Sequence, residues 1–349
     1  MKLQRGTQIR LAALCILLLA SIGVVALILA PSHEKTPQVA QQDSTPRVQV
    51  THVPLATPDP SQTPVEDTGS TSESLRNGIL ALHTLQGPNG WTWHTSLPEH
   101  RLVVFYGNPL SPVMGPIGQF SDDDLIAKLR QQAQVYAKLD PSHPIVPALD
   151  YVTPIVQGDP MSDGSWVYRM PTESIDHYVS LANNNHMLFF FDMQVGHSTV
   201  QKEVGLVWSY LEQPGVDLTL DPEFDMPPGA IPDQVFGRMT AAEINWVIDA
   251  LSNLVETQHL PPKILIIHQF LEEMLPDWQN IKVKPGVEVV TCVDGFGPPG
   301  TKIDDYRMFD KDQLIQYSGM KLFYTLDKPL MSPSDVLALD PSPLMVMYQ

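Results

Sequence analysis

Met187-Leu-Phe-Phe-Phe-Asp192, Ser198-Thr-Val-Gln201 and Val216-Asp-Leu-Thr-Leu-Asp221, read as one unit, decide the fold. Two short runs of aromatic and aliphatic residues each stop at an aspartate, and a helix-start pattern lies between them. A serine followed three residues later by glutamine can satisfy the free N–H groups of a helix N-terminus, so the segment reads strand, helix, strand. Strands joined through a crossover helix run parallel, and near-continuous apolar runs mark strands covered on both faces.

The same unit recurs on either side. Eight strands are predicted: Leu102–Tyr106, Ile145–Tyr151, Met187–Asp192, Val216–Asp221, Ile264–His268, Val287–Val293, Met320–Tyr324 and Leu344–Tyr348. Ser121-Asp-Asp-Asp124 and Thr240-Ala-Ala-Glu243 are further cap patterns, and Ser332-Pro333 places proline in a first helical turn. Leu125, Leu129, Ala133 and Tyr136 form one apolar stripe, and Ile244, Val247, Ile248, Leu251 and Val255 another. Eight parallel strands buried on both faces close into a ring, so the expected fold is α/β, a single (β/α)8 TIM barrel. The helical pattern Glu73–Thr84 precedes strand one and is expected to fill the gap left by a missing eighth helix. No glycine-rich loop follows strand one and no repeat has solenoid spacing, which excludes the commonest dinucleotide-binding and repeat architectures.

Residues 11–30 are a run of 20 without a charge, about 30 Å long as a helix and able to cross a bilayer. Ile28 before Ala30, with Pro31 after it, makes a poor cleavage site, so an uncleaved transmembrane anchor is expected. Residues 1–10 hold Lys2, Arg5 and Arg10, the cytoplasmic basic flank of a single-pass protein whose remainder is extracytoplasmic. Residues 31–72 are rich in Pro, Ser, Thr and Gln, and read as a disordered tether reaching on the order of 100 Å when extended. Residues 73–349 form the barrel domain. The 33 prolines, many for a globular body, are partly explained by the tether.

The net charge is −18, and the anchor's three basic residues cancel the tether's excess of acids, so the barrel carries all of it. Such a surface repels phosphate backbones, which excludes nucleic acid as a natural partner. Of the two cysteines, Cys15 lies in the anchor and Cys292 in a predicted strand, so no intramolecular disulfide is expected. In Leu11-Ala-Ala-Leu14, just before Cys15, a bulky leucine stands where lipoboxes have Gly or Ala, which disfavours lipidation there.

In a barrel of this kind chemistry collects where strands end. Those positions hold Tyr106 and Asn108, Asp150, Asp192 and Gln194, Asp221 and Glu223, His268 and Gln269, Asp294, Tyr324, and Tyr348. Strand alternation puts Thr219, Asp221 and Glu223 on one face, the last two at the mouth. Two neighbouring carboxylates repel as anions, so one keeps a proton and serves as general acid while the other stays charged. Asp192 or Asp294 would stabilise positive charge on a sugar ring or orient water, Tyr324 would hydrogen-bond substrate, and Trp166, Tyr168 and Phe296 offer stacking faces.

The Asp221-Pro-Glu223 pattern at the end of strand four resembles that of the chitinase-like glycoside hydrolases of family 18 and the lysozymes of family 25. That resemblance implies Glu223 as the acid/base and Asp221 as its partner. His268-Gln-Phe270 and Asp294-Gly-Phe-Gly297 are similar to segments of uncharacterised exported bacterial barrels. The resulting expectation is a membrane-anchored glycosidase-like hydrolase acting on an envelope or environmental polysaccharide, with no cofactor.

Each assignment has a structural counterpart. Asp221 and Glu223 fit a salt-bridged or capping pair, and the lone aspartates fit loop caps. His268 fits a hydrogen-bonding wedge, Trp166 and Tyr168 fit loop pins, and Trp246 fits a core residue. Trp91 and Trp93 fit a plug under the barrel. A non-catalytic carbohydrate- or wall-binding barrel is the alternative reading. A metal-assisted hydrolase is the third, although no His-x-His or HExxH spacing marks a metal and none is expected.

Overall fold

The computed structural model describes residues 97–232 and 234–349, together with the short backbone pair Leu85–Gln86 and Thr92–Trp93. The expected anchor, tether and Glu73–Thr84 helix lie outside the residues so described, and of the expected tryptophan plug only the Trp93 backbone lies within them. Among the described residues no helix is long and apolar enough to cross a membrane.

Eight parallel strands form a closed barrel. They are β1 (Arg101–Gly107), β2 (Ile145–Val152), β3 (Leu188–Met193), β4 (Val216–Leu220), β5 (Lys263–Gln269), β6 (Val287–Val293), β7 (Tyr317–Leu322) and β8 (Met345–Tyr348). Each pairs with the next, and β8 closes the ring by pairing Met345 with Leu102 of β1. Seven strands coincide with the expected runs to within two residues, while β7 begins three residues earlier than Met320–Tyr324. Tyr317 to Leu322 is the stretch that pairs with its neighbours on both sides, so the apolar Phe323-Tyr324 end falls in the following turn.

The outer layer includes α1 (Asp122–Leu139), α2 (Thr172–Asn184), α3 (Val200–Leu206), α4 (Ala241–Gln258), α5 (Pro299–Tyr306) and α6 (Pro333–Leu337). Ser121, Thr240 and Ser332 cap α1, α4 and α6 as their sequences require, the last two with reciprocal capping boxes. Thr199, one residue beyond Ser198, caps α3. The stripe of α1 is buried at Leu125, Leu129, Ala133 and Tyr136. On α4, Ile244, Val247, Ile248 and Leu251 are buried and Leu254 takes the place expected for Val255. Trp246, expected as a core residue, faces outward on α4 and is exposed.

The N-terminal end of the barrel is sealed by polar groups that find backbone partners. Lys263 Nζ donates to the carbonyls of Gln213 and Val216, both at 2.7 Å. Glu288 accepts from the Leu97 N–H, and Tyr317 donates to the Leu97 carbonyl. Arg101, fully buried, reaches Asp140 at 2.6 Å and the Pro343 carbonyl at 2.8 Å. These bonds satisfy groups that burial would otherwise strand, at the end opposite to the candidate site.

Candidate active site

Thr219 Oγ1 of β4 donates to Asp150 Oδ2 of β2 at 3.1 Å. β2 and β4 are not neighbours in the ring, so that bond crosses the barrel interior and fixes which face of each strand points inward. Register carries the assignment round the ring. Tyr106 pairs with Asp150, Asp192 with Thr219, His268 with Cys292 and Lys321 with Met347. Tyr106, Asp150, Asp192, Thr219, His268, Cys292 and Lys321 therefore share the interior, and all are buried.

Past the end of β4 the chain enters a turn, Pro222–Phe224, that carries Glu223. Two glycines hold this turn. The Gly196 N–H donates to the Phe224 carbonyl at 2.7 Å, and the Gly237 N–H donates to the Glu223 carbonyl at 2.5 Å. Gly196 has φ +61°, and a Cβ there would press on the Ser165 carbonyl and Val167, so glycine is required by both conformation and contact. Gly237 also belongs to a 380 Å³ groove lined by Pro227, Phe236, Arg238, Leu271 and Met274 beside the Glu223 turn.

His268 organises the cluster. Its Nδ1 lies 3.0 Å from Asp221 Oδ1 and 3.0 Å from Asp294 Oδ2. Lys321 Nζ stands 3.6 Å from Asp294 Oδ2 and 3.7 Å from the centre of the Tyr106 ring. Gln194 donates to Asp221 Oδ2 at 3.3 Å and accepts from the Val156 N–H. It thereby ties the aspartate to the hairpin Ile155–Val156/Val167–Tyr168.

Electrostatics separate the acids. Burial, then the charges of Asp221 and Asp294, raise Glu223 well above the ordinary glutamate range. Burial also acts to raise Asp221, but His268 through charge and hydrogen bonding, with Lys321, holds it below the ordinary range. Asp150 is pushed up to about 7 by burial, and Asp192 is raised well above its ordinary value by burial and by Asp221 and Asp150. Burial and Lys321 oppose a charge on His268, yet Asp221 and Asp294 outweigh them and its pKa is raised well above the ordinary value.

Of the residues proposed from sequence, Tyr106, Asp150, Asp192, Asp221, Glu223, His268 and Asp294 converge, with Gln194 positioning Asp221. Asn108 is buried nearby with both ends used, donating to the Val152 carbonyl and accepting from the Leu110 N–H. Gln269 turns to its own loop, donating to the Leu271 carbonyl. Tyr348 points the other way: its hydroxyl meets Tyr136 of α1 at 2.7 Å, because alternation from inward Met347 places it outside. Tyr324 stacks on Tyr348 at 5.1 Å and meets Phe105 edge-on, so it also lies outside the cluster, a result of β7 ending two residues earlier. Trp166 meets His197 edge-on and Tyr168 forms part of the hairpin, while Phe296 packs edge-on against Phe323. Lys321 and Cys292 were not anticipated as site residues. A lysine within an otherwise apolar strand was the available signal for the first.

No family model and no curated protein matches the chain. Among solved structures it is similar to two Bacillus subtilis mannanases, called BCman and man26, each at 9% identity over 72% of this chain and 80% of theirs. The TM-scores are 0.38 and 0.39. The barrel assignment rests on the strand pairing of this chain itself.

Proposed function

We propose that this chain is a glycoside hydrolase-like barrel that cleaves a polysaccharide of the cell envelope or surroundings by carboxylate general acid/base catalysis. The observation that carries the reading is Glu223. It sits in a buried turn at the end of β4 with its pKa raised, and Oε2 has no hydrogen-bond partner among the described residues. Asp221, two residues away, is held ionised beside His268. Such a divided pair of acids suits glycosidic cleavage. Glu223 gives its proton to the leaving-group oxygen as the carbon–oxygen bond breaks, Asp221 and Asp294 face the positive charge on the sugar ring, and water adds to the ring carbon with loss of its proton to a carboxylate.

An arginine clamped on Glu223 would favour a binding-only barrel, and the unpartnered Oε2 argues against one. Anchoring through residues 11–30, with the barrel outside the cytoplasm, belongs to the same proposal and follows from the charge-free run and its basic flank.

The test is a screen of the full chain against peptidoglycan and common neutral glycans for reducing-end release, beside Glu223→Gln. The variant should melt as the parent does and release nothing. Turnover equal to the parent's would end the assignment.

A further inference from the structure

The carboxyl groups inside the mouth outnumber the bases. Asp150, Asp192, Asp221, Glu223 and Asp294 stand against His268 and Lys321, and every one of these side chains is nearly or wholly sealed from solvent. Asp221 and Asp294 are engaged by His268 Nδ1, and Asp294 also by Lys321. Asp150 and Asp192 are served differently. Asp150 Oδ1, both oxygens of Asp192 and His268 Nε2 have no hydrogen-bond partner among the described residues other than the carboxylate of Asp221 beside Asp192, two acids that a proton or a cation must bridge. Unsatisfied polar atoms at full burial are rare in folded proteins, and four of them together call for a ligand that accepts electron pairs.

One ligand atom from each of Asp150, Asp192 and His268 lies within 4.8 Å of the other two. Around Zn²⁺, with bonds of about 2.0–2.2 Å, donor atoms stand roughly 3–4 Å apart, which small carboxylate rotations reach from here. We propose that Asp150, Asp192 and Nε2 of His268 form a binding site for one divalent transition-metal ion inside the barrel mouth.

Three further observations fit this site. Nδ1 of His268 is held by two carboxylates, the arrangement that orients a metal-bound imidazole and fixes its tautomer. Three protein donors leave a coordination position free, the pattern of sites that meet a small ligand rather than only brace a fold. Two carboxylates with one imidazole suit Zn²⁺ or Mn²⁺ better than a Ca²⁺ site built from oxygen alone. The sequence carries no signal for this set because its donors come from three separate strands, at 150, 192 and 268, with no two within a helical turn.

The site shares His268 with the glycosidase reading but not its proton donor, since Glu223 is not a ligand and Asp192 lies level with Thr219, four residues before it. The experiment takes the full chain in detergent, dialyses it against a chelator and titrates it by calorimetry with Zn²⁺ and, separately, with Mn²⁺. One ion per chain should bind, with a rise in melting temperature. Asp192→Asn should weaken binding by more than the roughly 10–100-fold that loss of an outer partner costs, and Asp294→Asn by an amount within that range. Absence of stoichiometric binding by the parent with either ion, or unchanged affinity in Asp192→Asn, overturns the site.

Should Asp192→Asn not fold, Co²⁺ bound to the parent chain decides. A hyperfine-shifted imidazole N–H from one histidine supports the assignment, and a cobalt spectrum without a histidine signal overturns it. Ion binding without glycan cleavage upholds this site and sinks the Glu223 reading. Cleavage by a chain that binds no ion does the reverse.

Discussion

Oδ1 of Asp221, just past the end of β4, and Nδ1 of His268 on the neighbouring strand β5 lie 3.0 Å apart, and both side chains are buried. A buried charged pair is costly to assemble and more costly to halve. Here the aspartate's pKa is depressed, so its charge is favourable where it stands despite the other acids around it. Asp221→Asn should therefore destabilise the fold by about 3 kcal/mol, near the lower end for a broken buried pair because Asp294 still holds Nδ1. Urea unfolding of parent and variant measures the difference, and equal midpoints would contradict it.

Glu223 supplies the pH dependence of the proposed reaction. Its pKa is raised, so the proton it donates is kept above the pH at which an ordinary glutamate loses it and is lost as pH climbs through that raised value. Glycan cleavage should hold on the acid side and fall on the alkaline side. Glu223→Asp, which keeps the carboxyl but shortens its reach, should retain an alkaline limb at a rate lowered on the order of 10²-fold, in keeping with a misplaced catalytic group. A rate indifferent to this change would move the donor elsewhere.

Gly196 tests the support beneath that group. Gly196→Ala forces a side chain into a left-handed backbone position and against the Ser165 carbonyl. A loss of about 1–3 kcal/mol is expected from the strained backbone. Turnover should drop as well, because the Gly196 N–H holds the Phe224 carbonyl next to Glu223. Thermal melting and initial rates read the two effects separately.

The closed end of the barrel has its own pH signature. Burial pushes Glu288 up to about 8 from its ordinary 4.5, against the Leu97 N–H bond that favours its charge. A carboxyl with a raised folded pKa binds its proton more tightly in the native state, so stability falls as pH rises from about 4.5 to about 8 and then levels. Glu288→Gln should remove that share of the slope, and the stability gap between variant and parent should widen across this window. Unfolding midpoints at half-unit steps of pH give the difference, and a gap that stays constant would rule it out.

The ring was legible because its evidence is local. Runs such as Met187–Phe191 and Ile264–Ile267 are apolar throughout, as strands covered on both faces must be, and the caps at Ser121, Thr240 and Ser332 mark where the covering helices start. The site was legible only as far as strand ends and alternation could be judged. Asp221, Glu223, Asp192 and His268 end their apolar runs, and the barrel places them together. Tyr324 was misplaced because the end of β7 is set by pairing with β6 and β8 rather than by its own composition, and Tyr348 because ending a strand does not make a residue face inward. Which parity faces inward is set by register across strands, which sends Lys321 with Met347 inward and Tyr348 out. The convergence of Asp150, Asp192 and His268 depends on register between strands far apart in the chain, which composition does not encode.

Alternation makes this mouth behave like a reading frame. In β5 the donor His268 stands between Ile267 and Gln269, both turned toward the helices, and His268 is level with Cys292 of β6. One residue added upstream in that strand would show the interior an isoleucine or an amide where an imidazole now stands, with the chemical composition hardly altered. Two added residues would restore the phase but lift the ring nitrogen by about 6–7 Å, beyond the reach of both carboxylates that hold it. The strand therefore tolerates exchange of one apolar side chain for another far more readily than any change in its length.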